Sequence, residues 1–239
     1  MFGIIFGTIL IQGMQHSNDV KRIRHVNEFG TAYISISDDI VFLSRHGINP
    51  DKYILPHLIN HKANLKAMKD IGVTEIVSVN STGSLKLSLQ PGKIVIPDDF
   101  IMLSPYPSIY INKPVHITPV LDEDIRKECI KSASDVEQEV LDGGIYWQTT
   151  GPRLETKAEI RLMSQFADIV GMTMASEAII AMELGLQYAA ICSVDNYAHG
   201  IEETELTIAE ITSHGRINEK KIVTILKNIV KERIKLKST

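Results

Sequence analysis

The chain of 239 residues is poor in cysteine and tryptophan, with two and one respectively, and its aromatic share is only 6%. Cys129 and Cys192 lie far apart, in no CxxC or Cys/His spacing, which excludes a disulfide scaffold and leaves free thiols suited to a reducing, cytoplasmic compartment. An excess of positive charge is also missing: 25 Lys+Arg stand against 29 Asp+Glu, a formal net charge of −4. No basic field for nucleic acid exists, so any phosphate must be gripped locally. No apolar run approaches the roughly 18 residues that a membrane helix needs. The opening MFGIIFGTILI is apolar, but no Lys or Arg precedes it and no small-residue cleavage site follows it, so it reads as a buried first strand. Neither a full GxGxxG nor a GxxxxGKS/T loop occurs. His57 and His61 have an i, i+4 spacing, yet HLINH lacks the glutamate of HExxH and no third ligand stands at a recognisable distance, so no metal is expected.

What is present is a globular composition, with 44% hydrophobic and 23% charged residues. The length suits one α/β domain over residues 1–239. Short β-branched runs (3–6, 32–36, 40–43, 75–79, 94–96, 168–170 and 188–193) alternate with longer stretches of helical period. Helices are predicted over 57–71, 122–139, 156–166, 175–184 and 218–235, the last keeping Ile222, Ile225, Leu226, Ile229 and Val230 on one face. Pro91-Gly92 and Asp142-Gly143-Gly144 mark turns. The fold class expected is α/β, with a central mixed sheet flanked by helices.

Several strand ends carry polar groups. Ser44-Arg45-His46-Gly47 follows an apolar run and puts a guanidinium and an imidazole where open α/β sheets bind ligands, although a surface ion pair is the competing reading. Asn80-Ser81-Thr82-Gly83-Ser84 follows the strand ending at Val79 and reads as a polar turn able to cradle an anion. Gly7-Thr8 after the first strand is an ordinary turn or a close backbone approach to a ligand. Glu155, Met172, Thr173 and Asn196 lie on three further predicted loops. Each has a bland reading as a cap or turn; together they suggest one site for a nucleoside.

These segments, in order, resemble the trimeric purine nucleoside phosphorylase and methylthioadenosine phosphorylase family: IFGTIL, SRHG, PHLINHKANLKAMKDIGV, STGSL, QPGKIVIPDDFI, VHIT, GPRLETKAEI, DIVGMT and the asparagine of SVDNYA. The resemblance covers nearly the whole chain. It implies reversible phosphorolysis of a purine nucleoside, with inorganic phosphate as co-substrate, no metal or other cofactor, and a homotrimer or hexamer with no nucleic-acid or membrane partner. By position it implies Thr8, Arg45, His46, Asn80, Ser81 and Thr173 around phosphate, Met172 under the ribose, Leu154 against the base, and Glu155 and Asn196 reading the base. Asn196, Glu155 and His46 are the groups it implies for catalysis, and His116 is implied to reach a neighbouring subunit's sugar.

A 6-oxopurine offers a donor at N1–H, which a Glu155 carboxylate accepts, and acceptors at O6 and N7, to which the Asn196 amide donates. A 6-aminopurine presents a bare acceptor at N1 and meets the same carboxylate badly. The run GPRLET with VGMT and asparagine most resembles methylthioinosine phosphorylases, with Leu206, Ile208 and Ile211 able to line an apolar 5′ pocket. Inosine or guanosine are the other 6-oxopurine substrates expected; methylthioadenosine phosphorolysis and non-catalytic nucleoside binding on the same fold are the alternatives. The chain departs from the pattern in the bulk of Phe6-Gly7-Thr8-Ile9, in the missing histidine after RHG, and in Ser176 where proline is usual.

Overall fold

A computed structural model describes residues 1–7, 20–103, 105–203 and 208–237, the side chains of 50, 208–212 and 236–237 excepted. Thr8 and Leu206 lie outside the described residues, and so do the side chains of Ile208 and Ile211.

Strands β1 (Phe2–Phe6), β4 (Ile40–Ser44), β5 (Glu75–Ser84) and β11 (Gln187–Tyr197) form the centre of one mixed sheet. Their apolar side chains point alternately to two covered faces, which is why the runs are almost continuously hydrophobic. Ile5 joins the cluster containing Leu65, Met68, Met174 and Ala178, from helices α1 (His61–Asp70) and α4 (Met174–Glu183). Its neighbour Ile4 joins the opposite cluster with Ile125, Cys129, Ile222 and Ile225, from α2 (Glu123–Asp135) and α5 (Ile208–Lys237). The short α3 (Lys157–Met163) closes a third cluster of Leu85, Trp147, Ile160 and Val170.

Helix starts follow capping chemistry. Asn60 accepts from the Ala63 N–H, so α1 begins at His61 rather than at the predicted 57, and the residues before it form a short 3-10 turn. Asp122 caps α2 and Thr156 with Glu159 forms a capping box on α3. Helix α2 stops at Asp135, short of the predicted 139, with Glu137 at φ 56. Four strands escaped the periodicity. One is β2 (Lys21–Asn27), a charged partner of β3 (Gly30–Ser37) at the sheet margin. The others are β7 (Asp99–Ile101), β8 (Leu141–Asp142) and β9 (Ile145–Gln148), too short to show a period; Asp142, predicted as part of a turn, belongs to β8.

The decisive feature is a fork in the sheet. Along one edge of β5, parallel pairing with β1 ends at Ser78, and pairing resumes at Gly83 as an antiparallel contact with β10 (Ile169–Gly171). On the other edge β11 stays paired in parallel as far as Tyr197 opposite Ser84. That pairing holds 80–84 extended, which corrects the expectation of a turn there.

Candidate active site

A cavity of about 350 Å³ opens at the fork. Its wall draws on the end of β1 (Gly7), the residues after β4 (Arg45, His46), β5 (Ser81, Gly83), the β10–α4 turn (Met172, Thr173), the loop before α3 (Leu154, Glu155), the end of β11 (Asp195, Asn196) and α5 (Glu219, Ile222).

Arg45 is 3% exposed and almost fully engaged by the protein. Its Nε donates to Glu177 Oε1 at 2.6 Å, one terminal nitrogen donates to the Val79 carbonyl at 2.7 Å, and the other to Ser78 Oγ at 2.8 Å and Glu177 Oε2 at 3.3 Å. Val79 lies in the stretch of β5 that β1 has left, so the arginine takes the place of a strand partner. Burial alone would lower the Arg45 pKa, but the Glu177 carboxylate holds it above the ordinary value. Glu177 is buried too and is held below the usual carboxylate range by Arg45, with Ser78 and Tyr188 donating to it at 2.7 and 3.0 Å. The nitrogen bonded to Val79 is the guanidinium group nearest the space above Gly7.

His46 stacks on Tyr53, with ring centroids 4.4 Å apart, and its Nδ1 lies 2.7 Å from the Ile54 carbonyl. A carbonyl can only accept, so Nδ1 carries the proton and Nε2 is a bare acceptor when the ring is neutral. Burial pushes the His46 pKa down to about 4. The free ring is therefore not the second donor that the sequence suggested beside Arg45.

Thr173 precedes α4, and its Oγ1 accepts from Asn80 Nδ2 at 2.9 Å, which leaves its own proton available to the cavity. Asn80 is wholly buried and does not line the cavity; its Oδ1 lies 2.8 Å from Ser78 Oγ, whose one proton goes to Glu177. Its action on an anion runs through Thr173. Ser81 does line the cavity, but its hydroxyl donates to Asp195 at 2.5 Å.

At the other end, Glu155 is 7% exposed, and Oε1 accepts from Thr149 Oγ1 at 2.6 Å, leaving Oε2 open among the described residues. Asn196 Nδ2 donates to the Tyr197 carbonyl at 2.7 Å, which leaves one amide proton and Oδ1 for a ligand. A Cβ on Gly83 would come within 3.1 Å of that nitrogen, so a larger residue there would push the amide aside. Met172 packs over Gly151, where a Cβ would lie 2.5 Å from the sulfur and φ is +67°. Leu154 is half exposed at the rim.

The structure thus brings Arg45, His46, Ser81, Leu154, Glu155, Met172, Thr173 and Asn196 to one cavity. His116 stays outside it, exposed on a segment running from 102 to 121 without helix or strand among its described residues. Sequence reasoning missed Tyr53, Asp195, His199 and Glu219 on the wall. His199 donates from Nδ1 to the Glu155 carbonyl at 3.1 Å, and only the meeting of two distant loops reveals it. Asp195 gave no local signal, because neighbours in a regular strand face opposite sides; both it and Asn196 line the cavity where β11 is irregular between Val194 and Asn196.

A family model described as the phosphorylase superfamily matches residues 12–231. The chain is 40% identical over 237 residues to a probable 6-oxopurine nucleoside phosphorylase of Archaeoglobus fulgidus, covering 97% of this chain and 96% of the relative. It is 35% identical to a probable S-methyl-5′-thioinosine phosphorylase of Methanocaldococcus jannaschii, with 96% and 92% covered. Among solved structures, methylthioadenosine phosphorylase from Schistosoma mansoni in complex with adenine is similar with a TM-score of 0.79 at 26% identity, covering 96% of this chain and 90% of that one.

Proposed function

The chain belongs to the phosphorylase superfamily, and from that premise we propose that it catalyses reversible phosphorolysis of a 6-oxopurine nucleoside to the free base and a ribose 1-phosphate. The carrying observation is the pairing, in one cavity, of a Glu155 carboxylate oxygen with an Asn196 amide that still has a donor and an acceptor free. That pattern complements N1–H, O6 and N7 of hypoxanthine or guanine and opposes N1 of adenine. Phosphate enters at the Arg45 and Thr173 end and the base leaves from the Glu155 and Asn196 end, with Met172 beneath the sugar between them.

As C1′–N9 lengthens, positive charge builds on the sugar and is stabilised by the phosphate, while Asn196 donates to the purine nitrogen that gains electron density. Phosphate oxygen then bonds to C1′ as the N9 bond electrons go to the base. Holding the three parts in line supplies the catalysis, and no covalent enzyme intermediate is needed. Inorganic phosphate is the second substrate, and the reaction as drawn calls for no metal or organic cofactor.

Assembly belongs to the same proposal. Leu103, Tyr106, Ile111, Val115 and Val120 are exposed along the segment that carries His116. An apolar strip of this kind fits a subunit contact, and in a homotrimer, or a hexamer of two trimers, it brings His116 to a neighbour's cavity. Among the described residues no helix is long and apolar enough to cross a membrane. The buried thiols of Cys129 and Cys192 fit a cytoplasmic enzyme.

The test is base release from inosine, guanosine, adenosine and their 5′-methylthio forms with and without phosphate. Phosphate-dependent release from 6-oxopurine nucleosides is expected, and hydrolysis without phosphate would refute the reading.

A further inference from the structure

Asp195 has no role in the scheme above, and its charge is the wrong sign for a phosphate site. It sits at the irregularity in β11, between Val194 opposite Thr82 and Asn196 opposite Gly83, and is 2% exposed while lining the cavity. Its Oδ2 accepts from Ser81 Oγ at 2.5 Å and Ser193 Oγ at 3.0 Å, and its Oδ1 accepts from Asn218 Nδ2 at 2.8 Å. Burial raises the Asp195 pKa, and the three donors converging on its two oxygens oppose that shift and favour the ionised carboxylate. Ser81 has a single proton and spends it there. Toward the cavity it shows only lone pairs, made more basic by the charge behind them.

An acceptor backed by a carboxylate repels a phosphate dianion and attracts a hydroxyl donor. The stereochemistry of the reaction says where that donor comes from. The nucleophile approaches C1′ from the face opposite the base, and this same face of a ribonucleoside carries the 2′- and 3′-hydroxyls. Ser81 shares the cavity wall with Arg45 and Thr173, on the side where phosphate approaches.

We propose that Ser81 and Asp195 form a ribose-reading pair, in which Ser81 Oγ, polarised by Asp195, accepts a hydrogen bond from a ribose 2′- or 3′-hydroxyl and so selects ribonucleosides over deoxynucleosides. The pair deepens the phosphorolysis reading and rests on it for the placement of the sugar. Hydrogen phosphate also carries an O–H, and the experiment separates the two sources.

Equilibrium binding of inosine, 2′-deoxyinosine and 3′-deoxyinosine is measured by calorimetry on the intact protein without phosphate, and phosphorolysis of each is measured in parallel. The wild type should bind inosine about tenfold more tightly than at least one deoxy analogue, or about 1.4 kcal/mol. In Asp195→Asn the preference should shrink to about threefold or less, because the new amide can donate to Ser81 and release the serine proton to the cavity. Ser81→Ala, a substitution at an exposed cavity position, should do the same should the buried Asp195 variant fold poorly. An unchanged preference in Ser81→Ala, or an effect confined to the KM for phosphate, would overturn the pair. Ribo-selective binding that depends on Asp195 or Ser81, without turnover of any nucleoside, would uphold the pair and refute phosphorolysis instead.

Discussion

Arg45 and Asn196 line one cavity, but the chain treats them differently. Around Arg45 the protein supplies an acceptor for almost every donor: a carboxylate, a backbone carbonyl and a serine, themselves tied to Tyr188, Asn80 and Thr173. Around Asn196 and Glu155 each side chain has one hydrogen-bond partner among the described residues and keeps the rest of its capacity. The saturated end is therefore built for rigidity and the open end for discrimination. A buried charge left unpaired costs about 3–5 kcal/mol, whereas a base that mispairs at the open end costs about 1–3 kcal/mol.

The largest expected effect breaks the saturated end. Arg45→Ala leaves the Glu177 carboxylate buried without its cation and should cost about 3–5 kcal/mol in urea unfolding. It should also raise the KM for phosphate. Arg45→Met combined with Glu177→Leu should regain most of the stability but none of the phosphate-dependent turnover. A double variant as unstable as the single one would show that the ion pair is not what sets the cost.

Acid probes the same end next. His46 and His61 are both buried with pKa values pushed down to about 4, against an ordinary value of 6.5. As pH falls through 6.5 the unfolded chain gains these protons and the folded one does not. Stability is thus fully present above 6.5 and declines toward pH 4, on the order of 3 kcal/mol per histidine. Calorimetric Tm values between pH 7.5 and 4.5 should show the decline, and His61→Gln should flatten part of it. Equal slopes in the two proteins would remove His61 as a cause.

The open end should respond more gently and through specificity. Hypoxanthine should be released at least about tenfold more efficiently than adenine, a difference of about 1.4 kcal/mol. Asn196→Asp, with Glu155 changed as well, should move the preference toward 6-aminopurines, and kcat/KM for the two bases decides it. Smallest of all, Arg153→Ala should leave the KM for phosphate within about twofold, since that exposed arginine pairs with Glu159 in solvent rather than with the cavity.

The central elements were readable because their causes are local. Ile4 and Ile5 face opposite covered sides of the sheet, and Asn60, Asp122 and Thr156 cap the helices they precede. Strand β2 was unreadable because Lys21, Arg22 and Arg24 give it the composition of a loop, and only its pairing with β3 makes it a strand. At the site, the order of motifs identified most of the wall. It could not reveal that Asn80 stands behind Thr173 or that His46 shows the cavity a lone pair. His116 depends on a second subunit in the proposed assembly, and Thr8 and the 5′ pocket side chains of Leu206, Ile208 and Ile211 lie outside the described residues.

By itself, then, the sequence determined the alternation of buried strands with capped helices and the set of polar side chains at the strand ends, since burial period and capping act within a few residues. Which of those polar groups remain free was decided only by the tertiary structure. Hydrogen-bonding capacity is finite and is consumed by whatever folds beside it: Arg45 meets Glu177 across 132 positions of chain, and Ser81 meets Asp195 across 114. No local pattern carries that information, because it comes into existence when the sheet forks and brings those segments together.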